Sequence, residues 1–166
     1  MNFNNLNEFI DFLEKRDELK RITTTVDSNL EITEIVDRVF KSSGPALLFE
    51  NVTGSDFPLL INLFGTEQRM CWGLGVENPT ELVNKIKILL SNVENPPKTI
   101  SDKINLLKNL FSLRVILPKS TKHAECQEVI YKDNDVDLYK LPLMTCWPED
   151  AGPFITMPLV FTRDPI

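Results

Sequence analysis

The sequence predicts an α+β fold, and three observations carry that prediction. Helical and strand-like segments are mixed up to about residue 112. Two short continuous apolar runs, Ala46-Leu47-Leu48-Phe49 and Leu59-Leu60-Ile61, are bounded by the turn residues Gly54, Pro58 and Gly65 and read as buried strands. From Leu113 onward only short β-like runs remain, separated by Pro-rich and charged turns. This order predicts two units, an α/β part over 1–112 and a β-rich part over 113–166. At 166 residues the chain can bury a core without disulfides or metal, since a domain of ~150 residues buries ~70% of its unfolded surface.

Each element has a local reason. Asn5 is a helix cap with Glu8 as its capping-box partner, and Leu6, Phe9, Ile10 and Leu13 recur at helical spacing, so a helix is expected over about 6–16. Ile22, Thr24 and Val26 alternate in a Thr-rich run, which suits a short strand. Ile32, Ile35, Val36, Val39 and Phe40 then mark the clearest amphipathic helix. Glu31 and Glu34 lie at its start and Arg38 and Lys41 at its end, as the helix dipole favours. Gly44-Pro45 stops it.

After the two strands, Thr66 caps a short helix through Trp72 that ends near Gly73 and Gly75. Asn78-Pro79-Thr80-Glu81 supplies cap, N1 proline and N3 acid for the next helix, with Leu82, Val83, Ile86, Leu89 and Leu90 on its buried face. Asn95-Pro96-Pro97 breaks it. A further helix is expected after Ser101, carrying Ile104, Leu107, Leu110 and Phe111. Val115-Ile116-Leu117, Val129-Ile130-Tyr131 and Phe154-Ile155-Thr156 are the β-like runs of the last third, and Phe154 to Thr162 reads as one strand.

Composition excludes several classes of function. A net charge of −6 and a pI near 4.9 oppose nucleic-acid binding, which needs a basic excess or patch. Three widely spaced cysteines, Cys71, Cys126 and Cys146, form no paired framework and read as reduced thiols in a cytoplasmic protein. The single histidine excludes a multi-histidine metal site within these residues. No N-terminal leader pattern and no apolar run near ~20 residues is present, so no integral membrane segment is expected.

The chemistry-bearing residues each have a plainer structural reading. Gly73-Leu74-Gly75 resembles the opening of a phosphate loop, but position 78 is Asn and the preceding segment is helical, so a helix C-cap is the better reading. Cys146 lies beside Trp147-Pro148 and reads as a buried thiol. His123 lies in a polar loop without a partner nucleophile or carboxylate. Glu125, Glu128, Asp133, Asp135 and Asp137 lack the spacing of a Ca²⁺ loop and read as a solvated hairpin connection. Leu141 to Thr156 is the most unusual segment, with Trp147, three prolines and Asp150-Ala151-Gly152 ahead of a strand. Two readings stand, a rigid crossover between units and a loop lining a pocket.

This segment also carries a resemblance. Asp137-Leu138-Tyr139-Lys140-Leu141-Pro142, Trp147-Pro148-Glu149-Asp150-Ala151-Gly152-Pro153-Phe154-Ile155-Thr156 and Thr162-Arg163-Asp164-Pro165 resemble the UbiD family of prenylated-flavin-dependent decarboxylases. Leu30 to Val39, Gly44 to Val52, Asn62 to Thr66 and Cys126 to Ile130 resemble that family in the same order. The resemblance implies an N-terminal α/β domain over 1–112 and the start of a flavin-binding split β-barrel over 113–166, left incomplete. It implies removal of a carboxylate from aromatic or α,β-unsaturated acids, with polyprenyl-4-hydroxybenzoate of ubiquinone biosynthesis as one family substrate. The family uses prenylated FMN, made by a separate flavin prenyltransferase, with Mg²⁺ or Mn²⁺ and often K⁺.

In the family, the metal, flavin-phosphate and catalytic residues follow the Thr-Arg-Asp-Pro turn, and here Ile166 comes one residue after it. No catalytic, cofactor-binding or metal-binding residue is therefore carried over. The expectation is a fragment, a truncated product or one half of a split enzyme, inactive and without cofactor by itself. A non-catalytic interaction domain is the alternative. Expected partners are a missing C-terminal half or further copies of the chain. The expected location is cytoplasmic, peripheral to a membrane if the substrate is polyprenylated.

Overall fold

The fold was obtained as a computed structural model, which describes residues 3–94, 122, 124 and 127–156. It is α+β. Helix α1 (Leu6–Glu14) leads to strand β1 (Leu19–Ile22), helix α2 (Glu31–Lys41), strands β2 (Ala46–Phe49) and β3 (Leu59–Ile61), and helices α3 (Glu67–Leu74) and α4 (Pro79–Glu94). The chain divides into two compact units, one of Met1–Gly75 with Asp137–Ile166 and one of Val76–Val136. The helix expected after Ser101, the strand at Val115–Leu117 and the Phe154–Thr162 strand beyond Thr156 lie outside the described residues.

The first unit is built on a three-stranded sheet of order β1-β2-β3. β1 and β2 are parallel, with Leu19 opposite Ala46 and Ile22 opposite Phe49, and α2 is the crossover between them. β3 returns antiparallel, with Leu47 opposite Ile61. β2 is a continuous apolar run because both its faces are covered. Ala46 and Leu48 join Phe9, Ile10, Leu13 and Leu19 in one core, against which Phe12 and Trp72 pack. Leu47 and Phe49 join Val26, Ile32, Val52 and Met144 in the other, flanked by Ile35, Val36 and Val39 of α2. Side chains alternate across a strand, so four consecutive residues serve two cores.

The helix starts show a capping variation. The Asn5 side chain accepts from Glu8 N at 3.0 Å, as the sequence predicts. The Glu8 carboxylate, however, reaches past the cap to Asn4 N at 2.9 Å. Glu81 does the same to Glu77 N at 3.0 Å, and Glu31 to Asp27 N at 2.7 Å. Each acid thereby satisfies a donor one turn upstream and places negative charge near the helix N-terminus.

Several expectations are corrected. α1 ends at Glu14, short of 16, because Asp17 takes a positive φ of 58° and Glu18 N turns back to the Leu13 carbonyl at 2.9 Å. The Ile22-Thr24-Val26 alternation is a strand only to Ile22, where its partner β2 also ends. Val26 makes a single bridge to Val52. Phe40 of α2 and Val83 and Ile86 of α4 were expected on buried faces and are 55%, 46% and 47% exposed. Val129-Ile130-Tyr131 forms no strand. These side chains are exposed, and no partner strand within the described residues offers them a ladder.

One buried polar residue joins three chain segments. Arg69 on α3 has no solvent exposure. Its Nη1 meets Glu18 Oε2 at 2.6 Å, its Nη2 donates to the carbonyls of Gly44 at 3.1 Å and Asn62 at 3.3 Å, and its Nε donates to Leu63 O at 3.2 Å. Asn62 has φ 58° and sends Nδ2 to Pro45 O at 2.9 Å. A Cβ on Gly65 would lie 1.8 Å from Asn62 Oδ1, so Gly65 is required for this close approach.

Removing Arg69 takes a charged donor from the Glu18 carboxylate and from three carbonyls and empties a buried site, a loss of the size found on breaking buried pairs. Arg69→Met is expected to cost about 3–5 kcal/mol of unfolding free energy. Gly65→Ala is expected to cost about 1–3 kcal/mol by displacing Asn62. Urea unfolding of the 166-residue chain measures both, and a loss below about 1 kcal/mol for Arg69→Met contradicts the assignment.

Candidate functional site

The segment from Leu141 to Thr156 lies in the first unit and lines two grooves there. Met144 is its anchor, 4% exposed and packed with Ile32, Phe49 and Val52. Backbone bonds flank it. Met144 and Phe154 exchange N–H···O bonds at 3.4 and 3.0 Å, Thr145 N donates to Ser28 O at 3.3 Å, and Leu30 N donates to Thr145 O at 3.0 Å.

The Trp-Pro-Glu-Asp turn that follows is held by one carboxylate. Asp150 Oδ2 accepts from Cys146 N at 3.0 Å and Trp147 N at 2.8 Å, while Asp150 N closes on Trp147 O at 3.1 Å. Asp suits this position because its short side chain satisfies its neighbours' backbone donors in a turn. Trp147 is left 64% exposed.

The first groove, about 310 Å³, runs between this turn and α2. Cys146, Trp147 and Pro148 form one wall, and Leu30, Thr33, Glu34, Asp37 and Lys41 the other. The charges on α2 pair along the helix. Arg38 Nη2 lies 2.6 Å from Glu34 Oε1, and Lys41 Nζ lies 2.6 Å from Asp37 Oδ2. The hydrogen bond that Lys41 donates to Asp37, then the charge of that carboxylate, raises the Lys41 pKa above the ordinary lysine value. Thr33 Oγ1 is buried without a hydrogen-bond partner. The second groove, about 230 Å³, lies between Leu59 and Leu60 of β3 and residues 141–144 and 154–156, with Phe154 and Ile155 among its apolar walls.

The other sequence candidates are not drawn to these grooves. Gly75 is the left-handed C-cap of α3, with φ 68°, and Gly73 lies inside the helix against Phe64. Cys71 is buried in α3, and Cys146 is only half-buried at the groove wall. Glu128, Asp133, Asp135 and Asp137 are exposed. Asp133–Asp135 forms a 3-10 turn where a hairpin connection was expected, and Asp137 caps the next turn by accepting from Tyr139 N at 2.9 Å. His123, Glu125 and Cys126 lie outside the described residues.

Among the described residues, no group of three or more His, Cys, Asp or Glu side chains could hold a metal ion. No helix among them is long and apolar enough to cross a membrane. An FMN phosphate calls for unengaged backbone N–H groups or cations. Lys41, the cation lining the larger groove, is already engaged by Asp37, so the described groove residues do not fit a flavin phosphate. Arg69 and Thr33 escaped the sequence reading. Only the Thr66 helix start beside the Asn62-Leu63-Phe64-Gly65 turn hinted that position 69 faces inward.

The fold is thus a mixed sheet covered on both faces, with a Pro-rich segment docked upon it. Residues 10–90 match the model of the 3-octaprenyl-4-hydroxybenzoate carboxy-lyase N-terminal domain, and residues 118–166 match the Rift-related domain of the same family. The chain belongs to the UbiD family.

Solved structures agree. An evolved dimeric form of the UbiD-class enzyme HmfF from Pelotomaculum thermopropionicum, in complex with prFMN, is 28% identical with a TM-score of 0.65, over 91% of this chain and 30% of that one. HmfF in complex with FMN is also 28% identical, with a TM-score of 0.62, over 89% of this chain and 28% of that one. Vanillic acid decarboxylase from Sedimentibacter hydroxybenzoicus, in closed form, shares the fold at 22% identity and a TM-score of 0.64, over 92% of this chain and 29% of that one. The chain thus spans about 30% of the length of the structures it matches.

The Asp37–Lys41 pair gives a titration with a defined sign. A raised folded-state pKa means that the pair's contribution is complete below the ordinary lysine value and is lost as pH rises through the folded value. NMR titration is expected to place the Lys41 midpoint above that of an unpaired lysine, and Asp37→Asn to lower it towards the ordinary value, with the weaker pull of Glu34 remaining.

Proposed function

We propose that the chain is the N-terminal portion of a UbiD-like non-oxidative decarboxylase acting on aromatic or α,β-unsaturated carboxylic acids. The match of two consecutive family regions in their family order, residues 10–90 then 118–166, is the observation that carries this reading. HmfF, matched at 28% identity, was solved with prFMN and with FMN, which supports the same cofactor class. On this reading residues 1–112 are the N-terminal α/β domain and 113–166 begin the flavin-binding split barrel. A polyprenyl-4-hydroxybenzoate of ubiquinone biosynthesis is a candidate substrate. Mg²⁺ or Mn²⁺, with K⁺, would be held by residues beyond Ile166. The protein is cytoplasmic, and peripheral to the membrane if the substrate is polyprenylated.

The role of the described residues is architectural. They seat the Leu141–Phe154 segment on the sheet and so fix the entry of the chain into the barrel. Chemistry needs more protein, in the form of a C-terminal half or a fuller copy of the enzyme. The exposed Val129, Ile130 and Tyr131 favour a state in which further protein covers them. Co-expression with a flavin prenyltransferase is expected to yield the purified chain without flavin absorbance and without decarboxylase activity. Stoichiometric flavin on the chain alone contradicts the placement of the cofactor site.

A further inference from the structure

We propose that Leu141–Phe154 is a strap that opens from the sheet as a unit, with Met144 as its anchor and destabilising groups at its docking point. The attachment is narrow. Met144 is the one fully buried side chain of residues 127–156, while Trp147, Phe154 and Ile155 remain exposed. Among the described residues, the remaining ties include Cys146 against the same core, Thr145 with Ser28 and Leu30, and Ser55 Oγ donating to Lys140 O at 2.8 Å. Segments with few buried contacts open at lower free energy than the core.

Two features at the docking point favour opening. Leu30, whose N–H meets Thr145 O at 3.0 Å, has φ 69°, a region that non-glycine residues occupy only under constraint. Thr33 Oγ1, in the groove faced by Cys146–Pro148, is buried without a partner, and a buried unsatisfied hydroxyl gains hydrogen bonds once water reaches it. The closed strap therefore stores strain and an unmet hydrogen bond that the open strap releases. Opening separates the walls of the groove between α2 and Trp147.

Native-state hydrogen exchange on the full chain tests it. The amides of Leu30 and Thr145, whose hydrogen bonds cross between the strap and the Ser28–Leu30 turn, are expected to exchange together, at least tenfold faster than those of β2. Met144→Ala is expected to accelerate these two at least tenfold while leaving β2 unchanged, and Met144→Leu to restore most of their protection. Thr33→Val, which replaces the orphaned hydroxyl by a methyl, is expected to slow the same two amides severalfold. Should Met144→Ala prevent folding, the Thr33→Val result decides. Exchange of the strap amides at the rate of β2, or faster strap exchange in Thr33→Val, overturns the proposal.

Discussion

The guanidinium of Arg69 is the constraint on which the first unit depends. It is a full charge with no exposure, and its charge partner Glu18 lies at the entrance to β1 with a side chain 33% exposed. A buried charge is tolerated only when its donors are met. Three of its hydrogen bonds go to backbone carbonyls at Gly44, Asn62 and Leu63, which are the turns entering β2 and leaving β3. These carbonyls lie beyond the sheet ladder, where Gly44 O also accepts from Asn62 Nδ2 at 3.4 Å and Asn62 O from Gly65 N at 3.2 Å. Arg69 thus completes the end of the sheet that strand pairing leaves open. The planar fork of arginine suits this divided task, where a lysine offers a single point charge.

Arg69 fixes one end of the sheet, and burial on both faces fixes the middle. The Phe3, Phe9, Phe12, Phe64 and Trp72 rings interlock on the α1 side, with Arg16 stacked 3.7 Å from the Phe12 ring centroid. On the α2 side the core is closed by Met144, which reaches it from far along the chain. The N-terminal domain therefore shares its second core with the first residues that follow the Lys132–Lys140 turns.

Local signals made most elements readable. The Asn5, Thr66 and Asn78 caps, the apolar stripe of α2 and the runs 46–49 and 59–61 all fall where the sequence places them. Non-local features were not readable. Arg69 looks like any helix-surface arginine until the turn at Asn62–Gly65 folds over it. Leu30 carries no sign in the sequence of its positive φ, found where its N–H meets the distant Thr145 carbonyl. Val129–Tyr131 has strand composition, yet composition supplies no partner. Of the pocket-lining segment, the sequence showed stiffness through Trp147, its prolines and Asp150. It could not show which helix the segment would face.

A double-mutant cycle between Arg69→Met and Glu18→Gln tests the central constraint most directly, read as unfolding free energy in urea. If Arg69 holds the sheet end through its carbonyls as well as through Glu18, two results are expected. The pair couples by about 1–2 kcal/mol, and Arg69→Met stays strongly destabilising when Glu18 is already Gln. Additive effects, or a harmless Arg69→Met in the Glu18→Gln background, would contradict the account.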